Sequence, residues 1–123
     1  MEPNGSRLYA GVCTECGQGL LGFFMCDDQK TMILLCDECD IAYGSPEDLH
    51  AGQPPLIPEA GWIDALGVSY LDGRDATRLE IETKGWTEFV VGSYPYFKNK
   101  FGVQISEEKA QAEYRKRLKR QQP

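Results

Sequence analysis

Four cysteines arranged as two CxxC pairs constrain this chain more than any other feature of its sequence. Cys13 and Cys16 form the first pair, Cys36 and Cys39 form the second, and 19 residues separate the two pairs. Two residues between cysteines allow a tight turn to aim both sulfurs at one point, and two such turns at the ends of a hairpin supply a tetrahedral set of soft ligands. The spacing is that of a zinc ribbon and predicts one bound Zn²⁺.

Several alternatives for these cysteines stay open at this point. The same residues are also compatible with four buried thiols that bind no metal, with a redox-active pair, or with an iron site like that of rubredoxin. Asp40 follows the second pair where Gly17 follows the first, which is a departure from the usual glycine of rubredoxin-type sites. Since four thiolates leave no metal position open for water, the ion is expected to be structural.

The remaining cysteine and the single histidine are not needed as ligands. Cys26 falls in a predicted strand, where a free cysteine behaves as a small buried hydrophobe. His50 follows a predicted helix start and is expected to lie on the surface.

Apolar runs and turn residues predict a β-rich first half. The predicted elements are a strand over 7–12, a hairpin of 20–26 with 31–35 closed by the polar turn 27–30, a brief helix beginning at Ser45, an extended linker over 51–58 and a short helical stretch over 58–66. Ser45 followed by Pro46 and two acids is the pattern of a helix N-terminus.

The second half reads as helical. Asp75 is predicted to cap a helix that buries Leu79 and Ile81 and ends at Gly85. A second helical segment is predicted to begin after Gly85, and Ser106 is predicted to cap a basic terminal helix whose narrow apolar face carries Ala110, Tyr114 and Leu118. The fold class is therefore α+β, with an N-terminal zinc ribbon over residues 1–50, a mixed helical and extended region over 51–105 completing the same domain, and a C-terminal basic helix or tail over 106–123.

Charge is unevenly distributed along the chain. The net charge is −6, but residues 1–106 contain 16 acidic and seven basic side chains, and residues 107–123 contain three acidic and six basic ones. An acidic body repels phosphates and favours basic protein partners. The polar start and the lack of an apolar run of about 20 residues predict a cytoplasmic protein that neither is secreted nor spans a membrane.

No sequence motif indicates an enzyme. The chain has no glycine-rich phosphate loop, no nucleophile elbow and no HExxH, and one histidine limits acid–base schemes. We therefore expect neither catalysis nor a small-molecule substrate.

The order of these features resembles a group of small bacterial proteins. The resemblance rests on Cys13–Cys16, on Cys36–Cys39 with its acidic filler, on the Ser45-Pro46-Glu47-Asp48 helix start and on the stretch from Ala76 to Gly85-Trp86, and it covers roughly residues 8–90. Some members look like immunity proteins, which bind and neutralise a partner toxin in the same cell. The resemblance thus implies an inhibitor that occludes a partner.

Three functions remain in competition. As an inhibitor, the chain would bind a basic toxin through acids around the hairpin, namely Asp27, Asp28, Asp37, Glu38, Asp40, Glu47 and Asp48, with Trp62 or Tyr96 as aromatic anchors. As a nucleic-acid-binding ribbon, it would use Arg115, Lys116, Arg117, Lys119 and Arg120. As an adaptor subunit of a larger complex, it would use zinc only as a scaffold.

Overall fold

The protein has an α+β fold in two compact units. The structure is a computed structural model that describes residues 5–98, 101, 104–105 and 107–121. One unit comprises Leu8–Ser93, and the other comprises Met1–Arg7 together with Tyr94–Pro123. The domain boundaries predicted near residues 50 and 105 stay predictions.

Short strands alternate with short helices along the chain. The strands are β1 Gly5–Val12, β2 Leu20–Met25, β3 Met32–Cys36, β4 Ala42–Tyr43, β5 Trp62–Ile63, β6 Val68–Ser69, β7 Arg74–Asp75, β8 Gly92–Lys98 and β9 Gln104–Ile105. The helices are α1 Pro46–His50, α2 Arg78–Lys84 and α3 Glu107–Gln121, with a 3₁₀ turn over Thr87–Phe89. Among the described residues, no helix combines the length and the apolar character that crossing a membrane requires.

The predicted hairpin is the centre of the larger unit. β2 and β3 pair antiparallel from Leu21 opposite Cys36 to Met25 opposite Met32. β1 flanks β2, β4 flanks β3, and β7 pairs with the end of β2 that is remote from the cysteines. The hairpin therefore brings the end of β3, where the second CxxC pair begins, beside the start of β2.

Strand β3 is buried on both faces, which explains its uninterrupted apolar sequence. On one face, Met32, Leu34 and Cys36 belong to a cluster that also contains Ile81 and Trp86. On the other face, its alternate residues pack against the β5–β6 hairpin in a cluster of Cys26, Ile33, Leu35, Ala42, Ile63 and Val68. The central sheet is thus covered on both sides.

Both short helices of this unit have side-chain caps. The hydroxyl of Ser45 accepts from the N–H of Asp48 at 3.1 Å, which confirms the predicted start of α1. The predicted cap of α2 at Asp75 is wrong, since Asp75 lies in β7 and Thr77 forms a capping box with Glu80. Gly85 ends α2 at φ 80°, as predicted.

Only one of the two residues predicted to be buried on α2 is buried. Ile81 is 1% exposed, whereas Leu79 is 70% exposed. Two positions along a helix differ by about 200° around its axis, so Leu79 and Ile81 cannot face the same core. The helical segment predicted after Gly85 is only the 3₁₀ turn, with Trp86 buried just before it.

The short helix predicted over 58–66 is wrong. Ala60 and Gly61 both have positive φ, at 49° and 85°, and form a tight reversal in which Glu59 and Trp62 exchange two backbone hydrogen bonds. Trp62 then starts the β5–β6 hairpin, in which it pairs with Ser69. Two left-handed residues in succession exclude a right-handed helix at this place.

The extended stretch predicted over 51–58 covers one edge of the sheet. Ala42 pairs with β3 on one side and with Leu56 on the other. The N–H of Leu56 donates to the carbonyl of Ala42 at 2.7 Å, and the N–H of Ala42 donates back at 2.9 Å.

The smaller unit contains a strand pair and the terminal helix. Phe97 lies opposite Ile105 in the β8–β9 pair. The aromatic stretch around Pro95 is in β8. In α3, Ala110 is buried, and Tyr114 and Leu118 are 37% and 43% exposed. The predicted cap at Ser106 lies outside the described residues.

Candidate metal centre

Four sulfur atoms converge where the sheet ends. The Sγ atoms of Cys13, Cys16, Cys36 and Cys39 all lie within 4.8 Å of one another. Two distances are 3.7 Å, from Cys13 to Cys39 and from Cys16 to Cys36. Metal–sulfur bonds of about 2.3 Å in a tetrahedron place sulfurs about 3.8 Å apart, whereas a disulfide bond is about 2.05 Å long. The four cysteines are free thiols positioned to bind one metal ion.

Each CxxC pair sits in a turn closed by the same type of hydrogen bond. In the first turn, the N–H of Cys13 donates to the carbonyl of Gly19 at 2.8 Å. In the second turn, the N–H of Cys36 donates to the carbonyl of Ile41 at 2.9 Å. The closing hydrogen bond spans six residues in the first turn and five in the second, and β1 and β3 place both turns at the same end of the sheet.

The residue after each pair is left-handed. Gly17 has φ 69° and Asp40 has φ 61°. Asp is among the few non-glycine residues that adopt this conformation readily. The replacement of glycine by Asp40 therefore preserves the shape of the second turn. The position of Asp40 directly after the CxxC pair was the sequence signal for its left-handed conformation.

Further contacts join the two turns. The N–H of Asp37 donates to the carbonyl of Leu20 at 3.2 Å, and the N–H of Leu20 donates to the carboxylate of Asp37 at 2.9 Å. Asp37 therefore fixes the start of β2 against the second turn. This carboxylate has a structural role that sequence reasoning missed.

Backbone N–H groups face the sulfurs. The N–H of Gly19 lies 3.3 Å from the sulfur of Cys16, and the N–H groups of Glu38 and Cys39 lie 3.4 and 3.5 Å from the sulfur of Cys36. Such donors stabilise negative charge on sulfur. They suit a set of thiolates held around a cation.

The thiols of Cys16 and Cys36 have pKa values shifted in opposite directions in the absence of a metal. Backbone N–H groups of Gln18 and Gly19 lower the pKa of Cys16 to about 7. Burial raises the pKa of Cys36 to about 12. The buried thiol thus keeps its proton at neutral pH until a metal ion displaces it, so binding releases protons.

Gly19 is identifiable in the sequence as a turn glycine, but its contact with the second cysteine pair is not. A Cβ atom built there would overlap the sulfur of Cys36 and lie 2.9 Å from a carboxylate oxygen of Asp37. Only glycine fits between the first turn and this ligand. No sequence signal other than its being glycine marked the position, because the contact joins residues distant in the chain.

Cys26 and His50 lie outside the sulfur cluster. Cys26 is fully buried, and its pKa is raised to about 11 by burial and by the charges of Asp28 and Asp27. It follows β2 at the end of the hairpin remote from the four sulfurs. His50 is exposed, and its ring centre lies 5.5 Å from that of Phe89.

The acids that were predicted to bind a partner fall into two groups. Asp37, Glu38 and Asp40 lie at the second turn, and α1 adds Glu47 and Asp48 shortly after it. Asp27 and Asp28 lie at the opposite end of the β2–β3 hairpin.

The two acids of that remote group have local structural roles. Asp28 accepts from the N–H and the hydroxyl of Thr31 at 2.8 and 2.6 Å, and Asp27 accepts from the N–H of Asp72 at 2.7 Å. The hydrogen bonds from Thr31 also lower the pKa of Asp28.

The residues of the alternative functions lie elsewhere. Arg115, Lys116, Arg117, Lys119 and Arg120 lie on α3, and the first four are exposed. Trp62 is 48% exposed on β5, whereas Tyr96 lies on β8.

Comparison with known proteins assigns no family. No protein-family model matches the chain, and neither a curated protein nor a solved structure matches it significantly.

Proposed function

We propose that this chain is a non-enzymatic protein-binding module built on a structural zinc site, and that it acts as an immunity-type inhibitor of a basic partner toxin. The convergence of the sulfurs of Cys13, Cys16, Cys36 and Cys39, which all lie within 4.8 Å of one another, carries the zinc part of the proposal. Four thiolates suit Zn²⁺ and leave no position for a reacting water. Iron is the competing ion, and its thiolate complexes absorb visible light.

Exposed negative charge supports the binding part of the proposal. Within the described part of the chain, no hydrogen bond or ion pair engages the exposed carboxylates of Glu38, Asp40 and Glu47. Four thiolates with one divalent cation add two further negative charges next to them. Such a surface would steer a basic partner by raising the association rate.

Elemental analysis and native mass spectrometry test the metal. One zinc ion per chain is expected in the wild type, the same in Cys26→Ala, and none in Cys36→Ala. Cys26 and Cys36 are a matched pair, since both side chains are fully buried. Iron, no metal, or loss of the ion in Cys26→Ala would overturn the zinc assignment.

Inhibition is tested by co-expression with the product of the neighbouring gene in the native host. The expected result is a stoichiometric complex with a basic protein whose toxicity the chain suppresses. Charge reversal at Glu38 and Asp40 should weaken suppression, and Glu82→Lys on α2 is the matched exposed control. Salt-sensitive retention of nucleic acid that is lost on truncation after Ser106 would instead favour the basic terminal helix as a nucleic-acid-binding element.

A further inference from the structure

An exposed apolar surface lies on the outer side of the β5–β6 hairpin. Trp62 is 48% exposed and Leu71 is 66% exposed. In the same hairpin, Ile63 and Val68 are 1% and 6% exposed. The hairpin thus buries one face against the sheet and presents the other to solvent.

Backbone pairing and a side-chain contact place Trp62 and Leu71 together. Trp62 pairs with Ser69, and the N–H of Tyr70 donates to the carbonyl of Gly61 at 3.0 Å, so Leu71 follows directly on this pairing. The side chain of Leu71 lies directly over Gly61, the residue before Trp62. We call Trp62 and Leu71 the Trp62 face.

Carboxylates surround the Trp62 face. Glu59 exchanges two backbone hydrogen bonds with Trp62, and Asp64 accepts from the Trp62 ring N–H at 3.4 Å. Asp72 directly follows Leu71 and is exposed. Residues 31–73, which include this whole surface, contain eight acidic residues and no lysine or arginine. Tryptophan is among the residues that dominate binding hot spots, and charge of one sign beside it favours a partner of the opposite sign.

We propose that the Trp62 face binds a basic amphipathic segment of a partner protein, with apolar side chains against Trp62 and Leu71 and lysine or arginine beside Glu59 and Asp64. The negative charge around the Trp62 face selects a basic occupant, because phosphates, acidic proteins and the same face of a second copy would all be repelled. The inference rests on the proposed function and specifies the surface that such a partner contacts.

The test uses the full zinc-loaded chain and a short synthetic helix of leucine and lysine, with glutamate replacing lysine in a control peptide. Isothermal titration calorimetry should show binding of the lysine peptide alone. Trp62→Ala should weaken binding by on the order of tenfold. Leu79→Ala is the matched control, because Leu79 is a similarly exposed apolar residue on α2, and it should leave binding unchanged.

Charge variants give a second readout. Glu59→Lys should weaken binding of the lysine peptide, and Glu82→Lys should not. Equal losses in the two charge variants would show diffuse attraction and overturn the proposal, as would absence of binding or equal losses in Trp62→Ala and Leu79→Ala. Concentration-dependent dimerisation that Trp62→Ala abolishes would also overturn it, since a second copy would then cover the face.

The same variants separate this inference from the inhibitor function. The peptide assay needs no toxin, and suppression of toxicity needs no peptide. If Trp62→Ala suppresses toxicity as well as the wild type does, the Trp62 face is not the contact surface and the inhibitor function stands. If the lysine peptide binds at Trp62 and no partner is inhibited, the surface stands and the inhibitor function fails.

Discussion

Gly19 lies against the sulfur of Cys36, so that even a methyl group at position 19 would overlap a metal ligand. We therefore expect Gly19→Ala to weaken metal binding by on the order of tenfold or more, because one of the four sulfurs must move out of its tetrahedral position. Competition with a chromogenic chelator would measure the change. Gly44→Ala is the control, since a Cβ there meets its nearest neighbour at 3.4 Å. Equal metal affinities in the wild type, Gly19→Ala and Gly44→Ala would contradict the prediction.

Asp40 occupies a left-handed position that glycine prefers. Asp40→Gly is expected to stabilise the metal-loaded protein by up to about 1 kcal/mol, and Asp40→Val to destabilise it by about 1–2 kcal/mol, because a β-branched residue is strained at φ 61°. Urea unfolding of the zinc-loaded protein would measure both changes. Asp40→Asn removes the charge but keeps a side chain that tolerates this conformation. If Asn stabilises as much as Gly does, charge rather than backbone strain is the cause.

Removal of the metal should destabilise the unit of Leu8–Ser93. The two CxxC turns hold the ends of β1 and β3 together, so the binding free energy contributes directly to folding. A metal ion whose free concentration is about a thousand times its dissociation constant adds about 4 kcal/mol to the free energy of unfolding. When unfolding is followed by the fluorescence of buried Trp86, the midpoint urea concentration should therefore fall strongly on addition of EDTA. Coincident curves with and without EDTA would contradict a structural ion.

The ion pair at the start of α2 is expected to make a small contribution to the free energy of unfolding that is lost in acid. Arg74 donates two hydrogen bonds of 2.7 Å to Glu80, and with the N–H of Thr77 this lowers the pKa of Glu80 from 4.5 to about 2. A lowered carboxyl pKa stabilises the fold above pH 4.5, and this contribution is lost as the pH falls towards 2. Because Arg74 is 45% exposed, the pair contributes less than about 1 kcal/mol.

Comparison of the free energies of unfolding of the wild type and Glu80→Gln measures this contribution. The stability difference at pH 7 should shrink as the pH falls below 4.5, and loss of metal in acid affects both proteins alike. A difference that stays constant across this range would contradict the assignment.

Leu79 and Ile81 provide a direct test of how α2 packs. Ile81→Ala should cost about 2–5 kcal/mol, because Ile81 is fully buried in the cluster that contains Trp86. Leu79→Ala should change stability by no more than about 0.5 kcal/mol, since Leu79 is exposed. Thermal or urea unfolding would measure both. Equal costs would show that the helix is rotated relative to the sheet.

Local signals in the sequence were sufficient for the convergence of the four cysteines and for the central hairpin. The spacing of the cysteines fixes two turns, and the apolar runs on either side of residues 27–30 fix the strands that place the turns together. Ser45 and Gly85 likewise mark helix ends by chemistry that acts within a few residues. These predictions held because the interactions responsible are short-range.

Other features depended on contacts that a linear pattern does not contain. The stretch over 58–66 resembled a helix, but the left-handed pair Ala60-Gly61 reverses the chain, and burial of Ile63 against the sheet makes it a strand. The sequence contains the pattern of a capping box at Thr77 and Glu80, and the prediction of Asp75 as the helix cap overlooked that pattern. The split of the acids between the two ends of the hairpin follows from the strand that separates them, so the predicted hairpin already implied it although the acids had been grouped as one surface.

The pairing of Leu56 with Ala42 has a consequence for how this protein meets other chains. Pro54 and Pro55 precede Leu56 and Pro58 follows it, so the segment outside β4 has few N–H groups with which to pair another strand. An open edge is where β-strands of separate molecules join, in ordered complexes and in aggregates alike. The proline-rich segment closes this edge to strand addition, so a strand from another molecule cannot extend the sheet beyond β4.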